Sequence, residues 1–409
     1  MGARQAWLWR NRAIFGGTGA VVGPRLLVDV SAIIRHDAQT GIQRVVRAVW
    51  SELYRRRGAG FDVIPVYATS KHGYCYAVAD HDGKLSPAVV LEPVRVDAGD
   101  KFLGLDLSAH LLPKYRQQLR AWRNHGATVH LIVYDLLPLQ RPAWFTDSAV
   151  SNFRKWFDVV KTEADQAICI SNQVREDVRK GIELHGARMP ALGRLQLGAD
   201  IAATIPSSGV CDDLRRILDY TRFRPAVLMV GTVEPRKGYE AALRAFDHLW
   251  HERADAPDLI IVGKPGWKTP ALQADIRSHK EFGRRLHWFD QMSDEGLCLL
   301  YDSCSGLLMA SRGEGWGLPL VEAAMHRRFV LARDLPVFRE QGLPNILYFS
   351  DDRPEALASE VTRLVEVSNT AAPAAELQTW AGCVDGLLET LGLINRSEVS
   401  QGPLLRIAS

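Results

Sequence analysis

Two glutamates, Glu314 and Glu322, flank a glycine-rich turn in the stretch SRGEGWGLPLVEAA, residues 311–324. The apolar run at 306–309 reads as a strand, and a helical pattern follows the turn. Gly313, Gly315 and Gly317 permit positive φ and close backbone approach to a ligand. Pro319 suits the start of a helix. Glu314 then lies on the loop, and Glu322 about one turn into the helix. The N–H groups from Leu318 to Val321 form an anion site suited to phosphate. The carboxylates would repel phosphate and suit hydroxyl groups, from which they accept strong hydrogen bonds. A ligand with central phosphates and a hydroxyl-rich ring at each end, a nucleotide sugar, satisfies all of these groups. In the competing reading Glu322 only favours the helix dipole and the glycines only serve the turn.

Three other turns carry polar residues. VGTVEPRKGY, residues 230–239, sets Arg236 and Lys237 before Gly238 and a new helix. Paired cations there suit a diphosphate, Arg as a fork and Lys as a point charge, or form an ordinary solvated pair. In DAQTGIQRVVR, residues 37–47, Gly41 opens a helix and can bring backbone N–H groups to a phosphate. Asp37 or Thr40 would be its cap or turn residue. In VYDLLPL, residues 133–139, Tyr134 and Asp135 could meet an acceptor sugar, or Asp135 could cap the next turn. GGTGAVVG at 16–23 partly mimics a dinucleotide fingerprint. It has Val22 at the third glycine position and precedes the first strong strand, so the fingerprint fails. Walker-A, HExxH and GxSxG patterns are absent, and twelve histidines, His287 and His326 among them, show no metal spacing.

The elements that must position these turns alternate. Strand-like runs at 26–30, 61–67, 101–107, 128–134 and 166–170 are separated by helical patterns, with Ser171 as an N-cap. The alternation restarts at 226–230 and continues through 258–262, 286–289, 306–309 and 329–332. Between the two blocks the chain reads as irregular, with a linker near 203–209. This pattern predicts an α/β protein of two doubly wound parallel-sheet domains. The expected divisions are a basic extension over 1–24, a first domain over 25–205 and a second over 206–373. A helix near 374–392, within a segment 374–395, crosses back to the first domain, and 396–409 is a tail. Ligands of such sheets bind where strand C-termini turn into helices.

A length of 409 residues suits two domains. A net charge of +3 is too small to argue for nucleic acid. Arginines crowd the first sixty positions, among them Arg4, Arg10, Arg12, Arg25, Arg35 and Arg56. They form either a solvated face or an attraction to anionic membrane or phosphate. Six cysteines lack metal or CxxC spacing, and Cys169, Cys298 and Cys304 sit in apolar runs as buried thiols would. No run reaches the ~20 apolar residues of a membrane span, so the expected location is cytoplasmic.

These residues together resemble the retaining GT-B glycosyltransferases of family 4. EGWGLPLVEA is similar to that family's E-x7-E motif, and VGTVEPRKGY to its VGTLEPRKN segment. MSDEGLCLLYDSCSGLLMAS and DLPVFREQG resemble two further segments of the second domain. TGIQRVVR and YDLLPL resemble first-domain signatures of bacterial members that build O-antigen, capsule and exopolysaccharide. The likeness runs from about residue 26 to 395. It implies two Rossmann-like domains facing a central cleft, and hexose transfer to a glycan or lipid-linked glycan. It leans towards GDP-mannose as donor, with dTDP-rhamnose or a UDP-hexose next. It implies that Glu322 holds the ribose and Glu314 the donor sugar, while Arg236 and Lys237 neutralise the diphosphate. Gly231, Gly41, Gly315, Trp316, Gly317, Leu318, Pro319 and Val321 would line the donor site. No metal or cofactor is implied, and peripheral membrane contact is. Three departures stand out: Thr232 where many members have Arg, Tyr134 where many have His, and HRRFVL in place of the usual G-x-P after the motif helix. Two alternatives stay open, a nucleotide-sugar epimerase-like enzyme and an inactive scaffold of a polysaccharide assembly complex.

Overall fold

The computed structural model describes residues 23–36, 40–184, 186, 188–201, 207–395 and 405–406. Asp37, the arginines at 4, 10 and 12, the linker residues 203–206 and nearly all of GGTGAVVG lie outside these. The chain forms two compact units. The first holds the described residues up to Leu139, Ser148–Leu197 and those from Trp380 to 395. The second holds Gln140–Asp147, Gly198–Thr379 and the strand at 405–406.

In the first unit the strands are β1 (Arg25–Asp29), β2 (Asp62–Tyr67), β3 (Cys75–Ala79), β4 (Leu85–Pro87), β5 (Lys101–Gly104), β6 (Thr128–Val133), β7 (Gln166–Cys169) and β8 (Ala191–Arg194). They form one sheet in the order β4-β3-β2-β1-β5-β6-β7-β8. β1 is buried along its whole length and pairs in parallel with β2 and β5. Its central place explains the apolar run Leu26–Val28, since both faces of a parallel sheet are covered. The sheet is not wholly parallel as expected: β3 pairs antiparallel with β2, and β4 with β3. The hairpin turn is made by Asp80, whose carboxylate accepts the N–H groups of Asp82 and Lys84. β8 was expected to be irregular. It is four residues long and mostly half-exposed, so it carries little apolar signal.

The first unit's helices are α1 (Gly41–Arg55), α2 (Arg116–Asn124), α3 (Asp147–Glu163) and α4 (Asn172–Glu183). Thr40 caps α1 in a reciprocal capping box with Gln43, and Ser171 caps α4 by accepting from Val174 N–H. Two of the N-terminal arginines act inside the fold. Arg25 is buried and donates from Nε to Asp100 at 3.0 Å. Arg56 pairs with Glu52 at 2.5 Å and with Asp385 at 3.0 Å.

In the second unit β9 (Ala226–Val230), β10 (Asp258–Val262), β11 (Leu286–Phe289), β12 (Gly306–Met309), β13 (Phe329–Arg333) and β14 (Ile346–Phe349) form a parallel sheet. Its order is β11-β10-β9-β12-β13-β14. Apolar clusters cover both faces, one around Phe246 and Leu259, the other around Leu300 and Phe338. β14 is half-exposed at the sheet edge and lacks a clear sequence signal. The unit's longer helices are α5 (Asp212–Tyr220), α6 (Tyr239–Glu252), α7 (Pro270–Arg277), α8 (Asp294–Ser303), α9 (Leu318–Met325) and α10 (Pro354–Val367).

The helix expected near 374–392 is shorter. Glu376–Leu377 form β15, paired with β16 (Leu405–Arg406), and α11 spans Trp380–Thr390. α11 belongs to the first unit, where it packs on α1.

Candidate functional site

The strand order reverses direction between β9 and β12, which are neighbours in the second sheet. Ligands of open α/β sheets gather at such a switch point. The turns leaving these two strands therefore run side by side, and Arg312 N–H donates to Arg236 O at 2.7 Å. One turn carries Arg236 and Lys237, the other Glu314.

The three side chains meet. Arg236 Nη1 donates to Glu314 Oε2 at 2.6 Å and to Gly313 O at 2.9 Å. Lys237 Nζ donates to Glu314 Oε1 at 2.6 Å. Each carboxylate oxygen thus takes one cation. Arg236 Nε also pairs with Glu234 at 2.8 Å. The Glu314 side chain is 7% exposed. Burial pushes its carboxyl upward, but the charges of Arg236 and Lys237 outweigh burial and hold it at about 2.

Two glycines fix this geometry. Gly231 has φ +142°, and a Cβ there would lie 3.3 Å from Lys237 Cε, so the lysine stem runs over bare backbone. Gly317 has φ +94° at the start of α9, where a Cβ would lie 2.6 Å from Phe338. Gly313 and Gly315, expected to share that role, are not in the positive-φ region. Pro319 has no N–H, and Leu320 N–H donates to Gly317 O at 3.0 Å, so neither offers a donor to phosphate.

The remaining expected residues fall in separate places. Glu322 is buried in α9 at 2% exposure, and its Oε2 accepts Tyr301 OH at 2.8 Å. Tyr301 in turn stacks on His326, which pairs with Asp302. Trp316 is buried, its carbonyl accepts Gln341 Nε2 at 2.6 Å, and its indole N–H has no hydrogen-bond partner among the described residues. Gly41 opens α1 in the first unit, and a Cβ there would meet nothing within 4 Å.

Tyr134 is corrected. It does not present its hydroxyl to a ligand: the ring is buried and the OH donates to Leu105 O at 2.7 Å. An aromatic ring at the end of a buried strand gains more from the core than from solvent. Asp135 accepts from Leu137 N–H at 3.0 Å, the capping role given as the alternative.

Sequence reasoning missed Glu234 and Tyr301. Glu234 stands two positions before Arg236, a spacing that could have suggested the pair. Tyr301 is 21 positions from Glu322 and gave no such signal. Among the described residues, Asp80, His81 and Asp82 could together offer ligand atoms to a metal ion. They lie exposed on the β3–β4 hairpin of the first unit, and Asp80 already serves its turn. No helix among the described residues is long and apolar enough to cross a membrane.

Residues 224–367 match the family model described as "Glycosyl transferases group 1". The chain is 38% identical over 383 residues to the serotype-specific mannosyltransferase WbdA of Escherichia coli, covering 90% of this chain and 45% of that protein. It thus spans about half the length of these curated relatives. A shorter stretch of 99 residues is 34% identical to an E. coli O-antigen chain mannosyltransferase B, covering 24% of this chain and 25% of that one. Sucrose-phosphate synthase from Thermosynechococcus elongatus superposes with a TM-score of 0.59 at 16% identity, over 91% of this chain and 96% of that one. HepE from Anabaena, solved with UDP, gives 0.57 at 14% identity, over 90% and 95%. The chain therefore has the two-domain GT-B fold, and residues 224–367 of its second unit are similar to glycosyl transferases group 1.

Proposed function

We propose that this protein is a retaining glycosyltransferase that moves mannose from GDP-mannose to a growing glycan, free or lipid-linked, in the synthesis of a bacterial surface polysaccharide. The observation that supports it is the Arg236–Glu314–Lys237 cluster at the switch point of the second sheet. The likeness to a serotype-specific mannosyltransferase and to an O-antigen chain mannosyltransferase favours mannose and this setting. Without ligand, Glu314 holds the two cations together. A nucleoside diphosphate brings its own negative charge to them. Glu314 is then released to accept hydrogen bonds from the donor sugar, while Glu322, steadied by Tyr301, takes the ribose hydroxyls.

As the bond from the sugar to phosphate breaks, negative charge builds on the leaving diphosphate and positive charge on the sugar carbon. Arg236 and Lys237 are in place before the reaction, so they stabilise that charge with little reorganisation. Two resident cations do the work a divalent ion does elsewhere, and the reaction proceeds without metal. The acceptor approaches from the inner face of the membrane, which the protein contacts peripherally.

The test is a screen of nucleotide sugars for thermal stabilisation, followed by transfer assays on Lys237→Ala. GDP-mannose is expected to stabilise most, and the variant to lose ~10²–10³ in rate while staying folded. Release of diphosphate without a glycan product would favour the epimerase-like alternative. Failure to bind any nucleotide sugar would favour the scaffold.

A further inference from the structure

The segment after α9 departs from the family pattern, and the structure gives the departure a shape. α9 closes with Arg327 N–H donating to Ala324 O at 3.0 Å and Arg328 N–H to Ala323 O at 2.9 Å. Such a closure puts one residue in the left-handed region, a place glycine takes by preference. Here Arg327 holds it, with φ +53°. A strained arginine in a glycine's seat needs a reason.

A cavity of about 330 Å³ opens beside it, lined by Ser305, His326, Arg327, Arg328, Ser368 and Thr370 among others, with no carboxylate in its wall. Ser305 precedes β12 and Arg328 precedes β13, so the cavity lies at the strand N-termini, the sheet edge away from Glu314. Ser368 and Thr370 give their protons to Val365 O and Val367 O. His326 pairs with the Asp302 carboxylate, and Arg328 Nη2 donates to Asp302 O. Arg327 has no side-chain hydrogen bond or ion pair among the described residues, and the Nε atoms of Arg327 and Arg328 are buried without partners. Buried donors left so need an explanation, a bound ion or water among them. A cation serving only the helix dipole could sit in the last turn without strain.

We propose that this cavity binds a phosphate group, gripped by the Arg327 guanidinium and held in place by Arg328. The site is separate from the donor site and from the proposed transfer. Its ligand is a soluble phosphate or phosphate ester, or the headgroup of an anionic lipid.

Two measurements test it on the full chain. Inorganic phosphate is titrated against wild type and Arg327→Gly, following the melting temperature. Glycine relieves the left-handed strain, so the variant should start at a higher melting temperature yet gain less from phosphate. Its affinity should fall about tenfold, the size of one charge-assisted hydrogen bond. Phosphate entering the donor site shifts both proteins equally and cancels in the comparison. Flotation with phosphatidylglycerol–phosphatidylcholine vesicles, against phosphatidylcholine alone, then separates the sources. Arg327-dependent flotation assigns the lipid headgroup, and an Arg327-dependent phosphate shift without flotation assigns the soluble ligand. If the variant starts higher but responds to phosphate as wild type does, Arg327 is only a strained cap and the proposal is overturned.

Discussion

Glu314 carries two cations on two oxygens, and that arrangement sets how the second unit responds to acid. Its carboxyl is held at about 2, below the ordinary 4.5. A depressed acid stabilises the folded state above its ordinary value and loses that contribution as pH falls through the folded one. The stability difference between wild type and Glu314→Gln should therefore be constant above about pH 5 and shrink towards pH 2. Removing one member of a buried ion pair costs about 3 kcal/mol or more near neutrality. Equilibrium unfolding across that range measures both. A difference that stays flat down to pH 2 would mean the cations do not hold the carboxylate. At this scale the sequence was legible where charge is concentrated in short segments. Arg236, Lys237 and Glu314 stand out because carboxylates and paired cations beside glycines are uncommon. Tyr301 and the burial of Glu322 did not stand out, because packing across helices leaves no local pattern.

At the scale of elements, the turn after β1 rests on two buried acids. Asp106 accepts N–H groups from Ala32 and Ile33 at 2.9 and 2.7 Å. Asp29 accepts Tyr74 OH at 2.9 Å and Ser108 Oγ at 3.0 Å. Burial, and then the nearby Asp29 carboxylate, push Asp106 up to about 7. A raised acid favours the folded state most below its ordinary value of 3.8, and the benefit is lost as pH rises through about 7. The first unit should thus be more stable near pH 5.5 than near pH 8 from this group. Asp106→Asn should flatten that dependence, as thermal unfolding at the two pH values would show. An unchanged slope in the variant would place the titration elsewhere. The central strands were readable from apolar runs because both their faces are covered. β4, β8 and β14 were not, since edge strands are short and half-exposed and bury too little to leave a periodic mark.

At the scale of the whole molecule, the chain makes most of the second unit and then returns to finish the first. α11 packs on α1, with Trp380 at 2% exposure and Arg56 linked to Asp385 and to Ala381 O. Trp380→Ala should destabilise the first unit by about 3–5 kcal/mol, the usual cost of a large core truncation. Chemical denaturation would register it as a lower midpoint for the first of two transitions. A single unshifted profile would make α11 an ornament of the fold. The return itself follows from no local signal; only its extra helix, outside the rhythm of the second block, hinted at it in the sequence.

That return has a consequence for synthesis. The ribosome delivers residues in order, at roughly 5–20 per second. Leu197 closes the early part of the first unit, and Trp380 supplies the piece still missing. The interval is roughly ten to forty seconds at those rates. During it the buried face of α1 that α11 will cover stays open in the nascent chain. The second unit is continuous from Gly198 to Thr379 apart from Gln140–Asp147 and the late strand at 405–406, so most of it can close first. Most of the half encoded later can thus mature earlier, and the nascent first half is the one that stays open longer.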